Sequence, residues 1–115
     1  TRLHNLASSD KNMSLDYFVG KTVHAVAGIG HPQRFFHQLE SHGLTVLEHP
    51  FPDHHPFEAQ DITFPDDLPV LMTEKDAVKC QSFANEKHWS VPVDAKLDER
   101  MMPLLMRLIK NLKQD

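Results

Sequence analysis

Apolar residues along the chain fall into short runs, which polar, glycine-containing or proline-containing segments separate. Residues 22–27 form the clearest run, which is β-branched, mostly apolar and preceded by glycine, and it predicts a buried strand. Apolar residues on both alternating faces are typical of a strand in a parallel sheet. Similar runs at 44–47, 70–72 and 89–93 predict three more strands, and Pro92 is expected to place the last of them at a sheet edge.

A helical period appears between the first two of these strands. Phe35, Phe36 and Leu39 recur at a spacing of about three to four residues. Pro32 suits the first helical position, and Gly43 is a typical residue just beyond a helix end. A terminal helix is predicted from residue 98 onward, with one apolar face and one basic face.

Two shorter helices are predicted between the later strands. Residues 57–62 form the first, and Thr73 is the predicted N-cap of the second, over residues 74–80, with Asp76 in a variant capping box. Residues 1–20 carry weaker patterns, which fit a turn, a short strand or an extended linker. The alternation of strands and helices predicts a small three-layer, Rossmann-like α/β domain with a mostly parallel sheet of four to five strands.

Composition limits the classes of protein that the chain can represent. Its 115 residues are enough for one domain with its own core, and the 40% hydrophobic and 24% charged content is typical of a globular protein. The net charge of −4 argues against a nucleic-acid partner. Cys80 is the single cysteine, so an internal disulfide is excluded, and we expect it to lie in the core. No apolar run approaches the roughly 20 residues that span a bilayer, and a start at Thr1 is typical of a piece of a longer protein.

Histidine is the one residue type in excess, with nine copies. Four are interpreted as scattered surface residues: His4, His37, His42 and His88. Four others lie in or beside predicted loops and are candidates for chemistry, because histidine titrates near neutral pH: His31, His49, His54 and His55.

Three loops follow three predicted parallel strands, whose carboxyl ends share one edge of the sheet. The loops cover residues 28–32, 51–56 and 73–76, so we expect their polar groups to meet in one crevice. The candidate site residues are Gly28, Gly30, His31, Arg34, Asp53, His54, His55, Glu74, Lys75 and Asp76.

Each loop has a chemical interpretation and a structural one. The glycines at 28 and 30, with Arg34 one turn later, could hold an anion at a helix start or could serve a tight turn alone. His54 could act as a general base or could orient a carboxylate, while Asp53 could equally cap backbone N–H groups. Glu74 and Asp76 complement a helix dipole, whereas Lys75 in the same turn opposes it.

Residues 23–36 read VHAVAGIGHPQRFF and resemble the segment VHAVAGIGNPxRFF of the tetraacyldisaccharide 4′-kinases, the lipid A kinase family. The runs FPDHH at 51–55 and MTEKDAVKC at 72–80 match the next two signatures of that family, and residues 89–95 fit its strand W-x-x-P-V-x-A. The resemblance covers residues 19–97. His31 departs from it, because the family usually has Asn at this position.

The resemblance implies that the chain is the C-terminal domain of such a kinase. Residues 1–20 would be a linker or edge segment from the inter-domain junction, and residues 21–115 the domain. The family transfers the γ-phosphate of ATP to the 4′-hydroxyl of the tetraacyldisaccharide 1-phosphate precursor of lipid A. It works at the cytoplasmic face of the bacterial inner membrane, as a peripheral or N-terminally anchored enzyme.

The resemblance also divides the labour between two domains. The family's P-loop, its Mg²⁺ ligands and the carboxylate base lie in an upstream domain, which binds ATP and Mg²⁺. The implied partners are therefore that P-loop domain, the lipid precursor and the membrane surface. The chain by itself is expected to be soluble, without cofactor and inactive. The motif match assigns the histidine of the family's aspartate–histidine dyad to His54, and the other candidate residues are expected to face ATP or substrate or to support His54.

Two alternatives belong to other classes of protein. Residues 53–55 match the bare DHH motif of metal-dependent phosphoesterases, although no DxD motif accompanies it. A non-catalytic module that only docks onto its neighbouring domain is the other alternative.

Overall fold

The computed structural model describes residues 2–8 and 10–92, so the predicted terminal helix lies outside the described residues. The described chain forms strands β1 to β6 in this order: Arg2–Asn5, Asn12–Ser14, Thr22–Ala27, Thr45–Pro50, Val70–Thr73 and His88–Val91. Helix α1 is Pro32–Ser41 and helix α2 is Glu74–Cys80. Three short 3-10 helices cover Leu15–Phe18, Ala59–Ile62 and Gln81–Phe83.

The sheet is six-stranded and mixed, in the order β2-β1-β6-β5-β3-β4. Strands β6, β5, β3 and β4 are parallel, as expected, but β1 pairs antiparallel with both β6 and β2. The predicted count of four to five strands is therefore too low. Strand β1 was not predicted because the buried Asn5 stands where the alternation of a strand would have an apolar residue. The Asn5 Nδ2 donates to the Glu86 carbonyl at 2.8 Å.

The prediction that Pro92 places the last strand at an edge is wrong. Strand β6 lies inside the sheet, between β5 and β1. Pro92 follows the strand rather than belonging to it, so its missing N–H is not required by the sheet. The true edge on the parallel side is β4, whose side chains are mostly exposed.

Two apolar clusters lie on opposite faces of the sheet, because alternate residues of one strand point to opposite sides. Val23 and Ala25 of β3 pack with Phe36 of α1 on one face. Val26 of the same strand packs with Cys80 of α2 on the other face. The two helices therefore cover the two sides of the sheet, and the predicted burial of β3 on both faces is confirmed.

Local signals predicted most of the element limits. Helix α1 begins at Pro32, and Gly43 takes the left-handed φ of 93° just beyond the helix end. Strand β4 continues three residues further than predicted, to Pro50. The predicted helix at 57–62 is a single 3-10 turn, Ala59–Ile62. Neither α-helix of the described chain is long and apolar enough to cross a membrane.

Candidate functional site

The loops after β3, β4 and β5 meet at one edge of the sheet and are called the rim: residues 28–32, 51–56 and 73–76. The Phe51 N–H donates to the Ala27 carbonyl at 2.8 Å, so the second loop begins against the end of β3. A Cβ placed on Gly30 would lie 3.9 Å from Asp53 Oδ2. The parallel sheet thus brings the three loops together, as the order of the strands predicted.

Gly28 is the point of closest approach between the first two loops. A Cβ at this position would lie 3.0 Å and 3.1 Å from two ring carbons of Phe57 and 3.3 Å from the Pro52 carbonyl oxygen. No larger residue fits without moving the ring or the loop. Gly28 is therefore required for packing, whereas Gly30 has room for a side chain.

Asp76 ties the third loop to the first. Its side chain is fully buried, and its Oδ2 accepts hydrogen bonds from the Gly28 N–H and the Thr73 hydroxyl, both at 2.8 Å. The Asp76 N–H donates in turn to Thr73 Oγ1 at 3.2 Å, so Thr73 is the N-cap as predicted. The predicted capping box differs in one respect: the Asp76 carboxylate bonds the Thr73 hydroxyl rather than a backbone group of Thr73.

His54 is the most exposed titratable group of the second loop, with 79% of its side chain accessible. It lies in a turn that the His55 N–H closes by donating to the Pro52 carbonyl at 3.0 Å. Its φ of 63° is left-handed, and it is the single non-glycine residue with positive φ in the described chain. Its Nε2 lies 3.8 Å from Asp53 Oδ2, which is too long for a hydrogen bond.

His55 points away from His54 and toward the protein, as expected for its neighbour in sequence. Its Nε2 lies 3.0 Å from Asp61 Oδ2, and its ring lies 4.7 Å from that of Phe51 and 4.8 Å from that of Phe57, centroid to centroid. The Glu58 N–H and the His55 ring bond Asp61 and lower the pKa of its carboxyl. His55 therefore anchors the far end of the loop that carries His54.

The remaining candidate residues lie at the outer surface of the rim. His31 precedes α1 without a side-chain cap, and its exposed side chain makes no hydrogen bond within the described chain. Arg34, Glu74 and Lys75 are also exposed. The structure thus joins Gly28 to Asp76 by a hydrogen bond and places Asp53 beside Gly30. The side chains of the other four candidates are exposed: His31, Arg34, Glu74 and Lys75.

The side chains of residues 53–55 do not converge on one point, because His55 is bonded to Asp61 and His54 is exposed. Among the described residues, no group of three or more histidine, cysteine or acidic side chains is placed to hold a metal ion. The described part of the chain therefore lacks the ligand cluster that a metal-dependent phosphoesterase requires.

A second group of residues, the His24 cluster, contains the titratable side chains of His24, His49 and Asp66 together with the Phe64 ring. The sequence analysis named His49 as a candidate but did not connect it with the other three residues. The His24 ring is buried, with Nε2 2.9 Å from Asp66 Oδ2 and Nδ1 2.9 Å from His49 Nε2. The Phe64 ring stacks on His24 at a centroid distance of 3.9 Å. Burial and the nearby His24 lower the pKa of His49, which Asp66 partly offsets.

The pairing of β3 and β4 explains the cluster. His24 lies opposite Leu47 and Val26 lies opposite His49, so the two histidines are diagonal neighbours on one face. The alternation of side chains within each strand could have predicted which face each histidine occupies. Which residues of β3 and β4 lie opposite each other is known only from the assembled sheet. His88 was also misassigned to the surface: it is buried, with Nδ1 accepting the Asn85 N–H.

Four minor predictions are confirmed. His4, His37 and His42 are exposed. Cys80 lies fully inside the core, where desolvation and the nearby Asp76 charge raise the pKa of its thiol to about 12. The thiol is therefore protonated and unreactive at neutral pH.

The fold and the rim define an α/β domain of the class that carries its chemistry in loops at the carboxyl edge of a parallel sheet. The family model described as Tetraacyldisaccharide-1-P 4'-kinase matches residues 2–110 of the chain. The chain belongs to that family.

Curated relatives are similar over most of the chain. The Tetraacyldisaccharide 4'-kinase of Methylobacillus flagellatus is 49% identical over 112 residues, which are 94% of this chain and 33% of that protein. The protein of the same name from Alkalilimnicola ehrlichii is 56% identical over 93 residues, 77% of this chain and 28% of that protein. The protein of the same name from Xylella fastidiosa strain M12 is 56% identical over 87 residues, which are 76% of this chain and 26% of that protein. No solved structure gave a significant match.

The chain therefore spans between about a quarter and a third of the length of these curated relatives. Most of each relative has no counterpart in this chain.

Proposed function

We propose that this chain is the C-terminal part of a tetraacyldisaccharide 4′-kinase and provides one half of its catalytic cleft. The support is the family membership together with the short matched fraction of each relative. In this proposal the parent enzyme phosphorylates the 4′-hydroxyl of the lipid A precursor with ATP, at the cytoplasmic face of the inner membrane. The isolated chain is inactive.

The observation that carries the role of this domain is the conformation of His54. A histidine in a left-handed turn costs roughly 1–2 kcal/mol relative to an ordinary backbone conformation. Such strain is typical of residues that are held for function, and here the imidazole is presented outward instead of being used in packing. His54 is thus available to a carboxylate on a facing domain.

His54 would hydrogen-bond the carboxylate that accepts the proton of the sugar hydroxyl. One ring nitrogen donates to that carboxylate and fixes its orientation toward the hydroxyl, so that proton transfer accompanies attack on the phosphorus. Phosphoryl transfer depends chiefly on positioning and charge stabilisation, which a group on a closing domain can supply.

ATP and Mg²⁺ are assigned to the rest of the parent enzyme. The sequence contains no GxxxxGK[ST] motif, and the family resemblance implies that the Mg²⁺ ligands lie in the upstream domain. Mg²⁺, when bound there, neutralises phosphate charge. This domain contributes the rim around His54, with Arg34 as an exposed positive charge for an anionic group of ATP or substrate.

The test is substitution of His54 in the full-length parent enzyme. His54→Ala is expected to lower kcat more than tenfold while the KM for ATP changes little, because ATP binds the other domain. His42→Ala, an exposed histidine at the end of α1, is the matched control. A normal kcat for His54→Ala would remove His54 from the mechanism and would favour the docking-module alternative. Micromolar Mn²⁺ binding by this chain would favour the phosphoesterase.

A further inference from the structure

Asp76 is the one described residue whose side chain is fully buried, ionisable and only partly satisfied. Its Oδ2 accepts two hydrogen bonds, whereas its Oδ1 is buried without a partner within the described structure. A buried carboxylate oxygen without a partner is unfavourable, so the position of this side chain calls for an explanation. Capping α2 alone does not supply one, because Thr73 already caps the helix.

We propose that Asp76 is a positioning residue for His54, acting through Gly28. This inference rests on the proposed function. The first link is the 2.8 Å hydrogen bond from the Gly28 N–H to Asp76 Oδ2, which holds the end of β3 against the start of α2. Because Asp76 is inaccessible to solvent, it contacts neither substrate nor ATP and can act only through the residues that it holds.

The second link runs from Gly28 to the loop that carries His54. Phe57 and the Pro52 carbonyl both pack against the open face of Gly28, at distances that leave no room for a Cβ. Pro52 also accepts the hydrogen bond that closes the turn around His54. A shift of Gly28 therefore moves Pro52 and Phe57, which lie on either side of His54 in the loop that carries it.

Two substitutions separate positioning from a role for the negative charge. In Asp76→Asn, the amide oxygen can accept both hydrogen bonds at the place of Oδ2, and the amide nitrogen takes the place of the partnerless Oδ1. In Asp76→Ala both bonds are lost. Positioning predicts that the Ala variant of the parent enzyme loses kcat about tenfold, and that the Asn variant stays within about threefold of the unsubstituted enzyme.

A double-substitution cycle ties the effect to His54. Asp76→Ala is expected to lower kcat by less than about twofold in a His54→Ala background, because the group that it positions is already gone. Asp16→Ala, an exposed acid of the Leu15–Phe18 turn, is the control and should leave kcat unchanged in both backgrounds.

A structural readout is independent of catalysis. In the parent enzyme labelled with ¹⁵N-glycine, the Gly28 amide proton should resonate downfield and exchange slowly, because it donates to a carboxylate. Asp76→Ala should remove both properties, and Asp76→Asn should keep the slow exchange. If Asp76→Ala does not fold, Asp76→Ser serves instead, since its side chain is one bond too short to reach the Gly28 amide.

The outcomes distinguish this inference from the proposed function. Equal losses in the Asn and Ala variants would overturn positioning in favour of a role for the charge. Losses that multiply with His54→Ala, or a Gly28 amide unaffected by Asp76→Ala, would also overturn it. A normal rate for His54→Ala alone would instead refute the proposed function, and with it the target of the positioning, whatever the Gly28 amide shows.

Discussion

His24 lies within β3 and His54 lies in the loop after the neighbouring strand β4, and their surroundings are opposite. His54 has no hydrogen bond to its ring within the described chain, is largely exposed and stands on a strained turn. His24 is buried, bonded at both ring nitrogens and stacked on Phe64. A satisfied ring contributes to folding, whereas an unsatisfied and strained ring remains free to bind something else.

The comparison also explains why the DHH triplet is misleading. His55 stands next to His54 in sequence but resembles His24 in its surroundings, because it is bonded to Asp61 and packed between two phenylalanine rings. Its role is to anchor the loop. A motif read as three equivalent ligands therefore contains one exposed ring and one structural ring.

The largest expected effect is on folding, from His24→Ala. Loss of the stacked ring leaves a cavity beside Phe64 and removes partners of Asp66 and His49, so the free energy of unfolding should fall by about 3 kcal/mol. His37→Ala, at an exposed position of α1, should change it by less than about 0.5 kcal/mol. Urea denaturation measures both. Equal effects of the two substitutions would show that the His24 cluster is not structural.

The second effect is a gain in stability, and it concerns His54. His54→Gly should be more stable than His54→Ala by about 1 kcal/mol, because glycine adopts a φ of 63° without strain. Both variants lack the imidazole and should share the low kcat proposed for the parent enzyme. Thermal denaturation of the two variants, followed in parallel, gives the difference. Equal stability would argue that the turn is unstrained.

The smallest effect is the pH dependence that His49 contributes. Burial and His24 lower its pKa in the folded state below the ordinary value of 6.5. The unfolded chain therefore binds the proton first as the pH falls, so stability should decrease from about pH 7 through 6.5 and level off below the folded pKa. His49→Gln should flatten this part of the profile of melting temperature against pH.

Asp66 provides an internal reference for that profile. The hydrogen bond from His24 lowers the pKa of Asp66 below its ordinary value of 3.8, so its contribution is present above pH 3.8 and is lost as the pH falls through the folded pKa. The two contributions therefore occupy separate pH windows. A His49→Gln variant that changed only the acid end of the profile would contradict the assignment to His49.

Local signals in the sequence predicted the centre of the fold well. Each signal lies within a few residues of the element that it predicts. These signals are the β-branched run of β3, Pro32 and Gly43 at the ends of α1, and Thr73 before α2. The meeting of the three loops also followed, because the order of strands and helices defines a parallel sheet with one carboxyl edge. Among the residues of these loops, His54 was singled out by the match to the family's motif.

What the sequence by itself determined is thus the parallel βα core, the rim and the family, since each depends on local periodicity or on a continuous motif. The tertiary structure alone decided the pairing of β1 with β6, the diagonal contact of His24 with His49 and the bond from Gly28 to Asp76. These join residues 25 to 86 positions apart, and no local pattern encodes which partner a distant strand or carboxylate will meet. Packing and register select those partners.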